Sequence, residues 1–260
     1  MLLKCLYNST KAEVFFRLIC NNKNKHLKKK ILIIGDSLSL PGHSNNYEDT
    51  WVYKVKNYFK DFDFITHLQR SLTTNVLVSQ GGGGPDDFPR GSDVLEYYMP
   101  DIVIIQLGIV DCAPRLFNKD KLIVKIIDRL PKLIKTIIYN TKLRITGRLV
   151  ENSYVSLSFF KKNLINYLDR AKQNKTRKII FISICYPDER MRSKNPNIYD
   201  QVDLYNNVIL NVSKLFDDIL VINPLDSRIH NDVIYEDGYH PNSYGNEIVY
   251  SELKKSLKNI

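Results

Sequence analysis

Cysteine is scarce in this chain: Cys5, Cys20, Cys112 and Cys185 are scattered over 260 residues. No two have metal-ligand spacing, and so few cannot frame a fold of this length, so they read as free thiols. Long apolar runs are missing too. No stretch approaches the roughly 18–20 residues that cross a bilayer, which excludes a helical membrane span. The first residues do not read as a secretory leader, because Lys4, Lys11, Glu13 and Arg17 break up the apolar positions and no small-residue cleavage site follows. The expectation is a cytoplasmic protein. There is no Gly-Lys-Ser/Thr loop, and no Gly-x-Gly-x-x-Gly leads from a first strand into a helix, so the common nucleotide-binding signatures are absent. No metal site and no organic cofactor is called for.

What is present suits one large α/β domain with a substantial core. Hydrophobic residues make up 43% and charged residues 25%, ordinary for a globular protein. Net charge is +10, with Lys23, Lys25, Lys28, Lys29 and Lys30 gathered before the first strand. Such a surface could attract an anionic polysaccharide, a phospholipid surface or nucleic acid. The chain is rich in Lys, Asn and Ile throughout, and no basic helix with interleaved aromatics stands out. Compositional bias is therefore the favoured reading, and no nucleic-acid partner is expected.

Residues 1–30 read as an N-terminal appendage and basic linker, with Leu3, Leu6, Phe15, Leu18 and Ile19 on one face of a short helix used for core packing. From residue 31 to 260 strands and helices alternate. Ile31–Ile34, Phe62–Leu68, Val76–Val78, Ile102–Leu107, Lys178–Ile184 and Ile219–Ile222 read as strands. Tyr47–Phe59, Lys121–Tyr139 (strained by Pro131), Ser156–Lys172, Val202–Phe216 and Asn242–Leu257 read as helices. Parallel strands with helical crossovers predict a three-layer α/β/α sandwich around a mainly parallel central sheet. Its functional rim lies beyond the carboxyl ends of the strands. There is no internal repeat and no sign of a second domain.

Two motifs at opposite ends carry the chemistry. Ile31-Leu-Ile-Ile-Gly-Asp-Ser37-Leu38 is a β-branched strand that delivers a serine to that rim. Asp237-Gly-Tyr-His240 precedes the closing helix. A serine hydroxyl is a weak nucleophile until a base takes its proton; His240 is the candidate base and Asp237 the carboxylate that orients it. The bland alternatives are a helix cap for Ser37 and a surface turn for His240. The other histidines are weaker candidates: His26 and His43 lie in polar loops, His67 in a strand, and His230 lacks a carboxylate at this spacing.

With Gly35-Asp36-Ser37-Leu38 and Asp237-x-x-His240 in this order, the chain resembles the SGNH, or GDSL, serine hydrolase family over roughly residues 31–258. The resemblance implies a flavodoxin-like sandwich and ester hydrolysis through an acyl-serine intermediate, with no cofactor. It also implies an oxyanion held by the serine amide, a glycine amide and an asparagine side chain. Gly81-Gly82-Gly83-Gly84 fits the glycine block, with Gly81 or Gly82 as the donor. A ligand-free turn and a phosphate cradle are the competing readings, and Pro85 follows the run directly. The third block departs from the family's Gly-x-Asn-Asp. Here it reads Gly108-Ile109-Val110-Asp111, and valine cannot donate a hydrogen bond. Arg115 and Gln106 are candidate substitutes, and Asp36 and Asp111 complete the expected oxyanion and substrate group. A loop-holding salt bridge is the alternative for Asp111 and Arg115. The run from Gly108 to Arg115 is similar to a variant found among proteins encoded with bacterial surface-polysaccharide genes. The expected substrate is a small acyl ester, such as an O-acetyl group on a glycan. Tyr154, Tyr186 and Tyr205 lie in a middle segment read as the rim of its pocket, where aromatic side chains could stack on a sugar though most are more simply core. The rivals are acyl transfer from the same site, and a non-catalytic glycan-binding or scaffold protein of the same fold.

Overall fold

The computed structural model describes residues 28–43, 45–78, 91–113, 129, 131, 134, 153–226 and 235–258. The glycine run 81–84, Arg115, nearly all of the helix expected over 121–139 and the appendage up to residue 27 lie outside them.

Five strands form one sheet: β1 (Lys30–Gly35), β2 (Asp63–Leu68), β3 (Ile102–Gln106), β4 (Lys178–Ile182) and β5 (Ile219–Ile222). Their order is β2-β1-β3-β4-β5 and every neighbouring pair is parallel. The chain winds outward from β1 to β2, then returns across β1 to β3. The direction of winding reverses between β1 and β3, where doubly wound sheets open their ligand crevice. Ser37 follows β1 and Gly108 follows β3, so both stand at that reversal.

Strand side chains alternate between faces, and the sequence uses both. Ile31, Ile33, Ile102, Ile104 and Ile180 pack under helices α1 (Trp51–Tyr58) and α7 (Ser243–Lys258), against Trp51, Val55, Val249 and Leu253. Leu32, Ile34, Val103, Ile105 and Phe181 pack on the other side, under α4 (Leu157–Gln173) and α6 (Ile198–Ser213), against Phe160, Leu164, Val202 and Tyr205. Two cores back to back on one sheet make the three layers. Burying each such aliphatic side chain contributes roughly 1.5–3 kcal/mol.

Several elements differ from expectation. The helix expected from Tyr47 starts at Trp51, because Thr50 takes extended backbone and its hydroxyl accepts a hydrogen bond from the Tyr53 amide. Residues Tyr47–Asp49 form a separate 3-10 turn instead. Val76–Val78 is no strand: Thr74–Leu77 is a 3-10 turn. Helix α2 (Gly91–Tyr98), the single turn α3 (Ile109–Cys112) and helix α5 (Glu189–Lys194) were not anticipated.

Candidate active site

Ser37 opens a short 3-10 turn, Ser37–Ser39, at the end of β1. The turn folds back on the strand, and a Cβ on Gly35 would stand 2.2 Å from the Ser39 hydroxyl. Glycine is therefore required there by close approach. Asp36 caps the turn: its Oδ1 accepts from the Leu38 amide at 2.9 Å. Its side chain is wholly buried, and Oδ2 has no hydrogen-bond partner among the described residues. Burial pushes the Asp36 carboxyl up to about 7; the capping amide opposes the rise and the charge of Asp111 adds to it.

His240 reaches this turn from the far end of the chain. Its Nε2 lies 3.1 Å from Ser37 Oγ, and its Nδ1 lies 2.7 Å from Asp237 Oδ2. Asp237 Oδ1 also accepts from the amides of His240 at 3.0 Å and Tyr239 at 3.3 Å. One carboxylate thus fixes both the backbone and the ring of the histidine. Burial pushes the Asp237 carboxyl up, but the hydrogen bonds from the His240 amide and ring and the Tyr239 amide outweigh it and hold it below its ordinary value. An ionised Asp237 only accepts, so the Nδ1 proton faces it and Nε2 is left to accept from Ser37.

The turn that allows this needs Gly238. Its φ is +112°, and a Cβ there would meet Met191 at 2.6 Å and the Asp188 carboxylate at 2.9 Å. Asp188 caps α5 through the Arg190 and Met191 amides, and its own amide donates to the Gly238 carbonyl at 2.7 Å. The loop after Ser37 is fastened to the segment around His240 by a set of polar contacts. Glu236 accepts from the His43 amide, Asn45 Nδ2 donates to the Pro241 carbonyl, and Asn246 Oδ1 accepts from the Trp51 amide. These partners are nearly two hundred positions apart, so these bonds bring the two motifs together.

Other expected site residues are placed elsewhere. Asp111 is fully buried and accepts from the Thr74 hydroxyl at 2.5 Å and the Thr74 amide at 2.9 Å. Asn163 Nδ2 donates to the same hydroxyl at 3.2 Å, so the Thr74 proton goes to Asp111. Burial pushes Asp111 up to about 6, against the bonds from Thr74. A carboxylate held this way ties the Thr74 turn to α3 and α4. Gln106 is also buried. Its Oε1 accepts from Ser39 Oγ at 2.6 Å and Trp51 Nε1 at 2.9 Å, so it braces the Ser37 turn from below, and its Nε2 has no hydrogen-bond partner among the described residues. Val110 is buried at the first turn of α3. Gly108, with φ of +129°, could not carry a Cβ, which would stand 2.5 Å from Ile184. Tyr205 is a core residue whose hydroxyl donates to the Val155 carbonyl, not a pocket wall.

Sequence reasoning missed Asn45, Thr74, Asn163, Glu236 and Asn246. Asn163 and Asn246 carried a usable signal. Each is an amide on the apolar face of a helix, where a buried polar group requires a partner. Among the described residues no cluster of three or more His, Cys, Asp or Glu side chains could hold a metal ion, and no helix is long and apolar enough to cross a membrane.

No protein-family model matches the chain, and no curated protein matches its sequence. Solved structures do match its fold. The psychrotrophic esterase EstA from Pseudoalteromonas sp., inhibited by monoethylphosphonate, superposes with a TM-score of 0.54 at 16% identity, over 89% of this chain and 97% of that one. An acetylxylan esterase, Axe2 from Geobacillus stearothermophilus, gives 0.55 at 16% identity, over 87% and 93%. A putative lipolytic protein of the G-D-S-L family from Desulfitobacterium hafniense gives 0.53 at 16% identity, over 87% and 98%. The fold is the one these esterases and lipases share.

Proposed function

We propose that this chain is a serine esterase of the SGNH, or GDSL, type. The observation that carries the reading is the continuous relay Ser37 Oγ – His240 Nε2, His240 Nδ1 – Asp237 Oδ2, at 3.1 and 2.7 Å. Ser37 Oγ attacks the ester carbonyl carbon as its proton passes to Nε2. Asp237 stabilises the imidazolium that forms. Collapse of the tetrahedral intermediate breaks the ester C–O bond, and His240 returns the proton to the departing alcohol. Water repeats the sequence on the acyl-serine, releasing the acid and free Ser37. The Ser37 amide and a glycine amide from 81–84 are the oxyanion donors in this reading.

The acyl group is small and the alcohol is a glycan hydroxyl in this proposal. The fold likeness to an acetylxylan esterase supports that choice, as does the sequence resemblance. One residue favours the non-catalytic rival: Val110, where a third donor is expected. Against it stands the aligned relay, which a binding module would not need. The deciding experiment is labelling with a fluorophosphonate, followed by peptide mass mapping and turnover of short acyl esters. Label on Ser37 together with turnover supports the esterase. No label and no turnover would move the assignment to the binding protein. Label with turnover only when a sugar acceptor is supplied would move it to acyl transfer.

A further inference from the structure

The sheet is all parallel, so its strands all begin at one edge, the base, opposite the rim that carries Ser37. Helices α1, α2, α4, α6 and α7 all end at that base. Lys28, Lys29, Lys60, Lys175, Arg177 and Lys214 are exposed there. Contacts across the base confirm the gathering. Lys28 Nζ donates to the Lys60 carbonyl at 2.9 Å, and Lys254 stands 4.0 Å from the Tyr58 ring with Lys258 at 5.5 Å. Against them stand Asp61, Asp63, Asp217 and Asp218, while Glu96, Asp101 and Glu252 are paired to Arg170, Arg177 and Lys255. Among the described residues the rim is the reverse. Glu48, Asp49, Asp200, Glu236 and Asp237 stand against Arg70, while Arg190 and Arg192 are bonded to Asp188 and Glu189.

Compositional bias explains a net charge of +10 but not its segregation. Cations do favour helix C-termini through the helix dipole, which accounts for Lys56, Lys172 and Lys255. It accounts as well for Lys60 and Lys175, one residue past the C-caps of α1 and α4, but not for Lys28, Lys29 or Arg177, which lead into strands β1 and β4. The same base exposes apolar side chains. Tyr97 is 74% and Leu215 66% exposed, and Tyr58, Tyr98 and Met99 at the same end of the sheet are exposed too.

We propose that the base of the sheet docks the protein on an anionic phospholipid surface, with the Ser37 rim turned away from it. Lysines draw a protein to acidic headgroups, and tyrosine rings and short apolar tips settle at headgroup depth. A polyanion such as nucleic acid or an acidic glycan would use the lysines but gain nothing from Met99 and Leu215. The chain also enters the base at Lys28 and Lys29. Docked this way, the base of the sheet lies against the lipid and the crevice stays open to a substrate in solution.

The test is co-sedimentation of the full chain with vesicles of phosphatidylcholine alone or with about one third phosphatidylserine. Binding to the acidic vesicles only, lost when salt rises from about 0.1 to 0.5 M, is the expected result. Combining Lys29→Glu, Lys60→Glu, Lys175→Glu and Lys214→Glu should weaken binding at least tenfold, and leave short-ester turnover unchanged. Should that variant fold poorly, Tyr97→Ser with Met99→Ser supplies the second reading, lowering binding at high vesicle concentration while retaining the salt dependence. Equal sedimentation with both vesicle types, or none with either, overturns the proposal. Retention on DNA or heparin without binding to acidic vesicles overturns it too, in favour of a polyanion partner. Vesicle binding does not depend on ester turnover, so the two readings fail separately.

Discussion

Two turns flank the crevice between β1 and β3, and they treat their polar residues in opposite ways. The turn after β1 meets the His240 segment and lines up three side chains: a hydroxyl, an imidazole and an ionised carboxylate. The turn after β3 keeps the glycine that its φ of +129° demands, but has a valine where a donor is expected and points its aspartate inward to Thr74. Both turns are built with care for backbone geometry. Only the first presents titratable groups to one another at the surface. A motif can therefore persist for its fold while its chemistry is placed elsewhere. Residue type alone does not separate the two cases; the partner does. Asp237 is partnered by a base, Asp111 by a threonine and, through it, an asparagine.

The largest expected effect breaks the first turn. Ser37→Ala should lower kcat on a short acyl ester by about 10⁴–10⁶-fold, with an unchanged melting temperature, since the hydroxyl's partner His240 keeps its bond to Asp237. Turnover like the parent's, in a preparation free of contaminating esterase, would remove Ser37 as nucleophile. Asp237→Asn should cost about 10⁴-fold. An amide can donate to Nδ1 and so stabilise the wrong tautomer. Recovery at high pH would be partial at best. A tenfold loss or less would mean that backbone contacts, and not the carboxylate, orient the ring.

Much of this was legible in advance. The apolar runs at 31–34, 102–107 and 219–222 read directly as strands, with 102–107 buried on both faces and 219–222 a partly buried edge, and the order of strands and helices dictates the sandwich. Asp237 and His240 are local to each other, so their spacing could be read directly. What could not be read was long-range. The partner of Asp111 is 37 positions away, and the fastening of Asn45 to Pro241 spans 196. Neither leaves a periodic trace. Helix boundaries failed where a side chain intervened, as at Thr50, whose cap overrides an apolar pattern starting at Tyr47. Helix α5 was missed because it is short and carries four charges in six residues, with no apolar face to recognise.

The second turn is sharpened by changing Val110. If the oxyanion site simply lacks a donor, Val110→Asn should raise kcat by up to about 10²–10³-fold. If another group has taken the role, the change should give little, while Arg115→Ala should lower kcat by a similar factor. Gln106→Ala would act differently from either. Gln106 receives the Ser39 hydroxyl and the Trp51 indole, so its loss should lower the melting temperature together with kcat. A gain in Val110→Asn with no loss in Arg115→Ala would settle for a depleted hole.

The smallest effect tests the buried acids as structure. Asp36 and Asp111 are raised by burial to about 7 and about 6. Each therefore holds its proton more tightly in the folded chain than in the unfolded one. Raising the pH from their ordinary value of 3.8 toward those values ionises the unfolded state first. Stability must then fall as pH rises through this window, and the loss is complete above about 7 for Asp36. The slope from one such group approaches about 1.4 kcal/mol per pH unit where only the folded state keeps its proton. Asp36→Asn removes the titration and keeps an acceptor for the Leu38 amide, so chemical denaturation between pH 5 and 7 should flatten by about that slope. Asp111→Asn should flatten it less, over a narrower range, and should also lower stability throughout, because an amide nitrogen facing Thr74 cannot replace both acceptor oxygens. Equal pH slopes for the parent and Asp36→Asn would show that Asp36 stays ionised in the folded chain, and with it that its bare Oδ2 is balanced by a group yet to be identified.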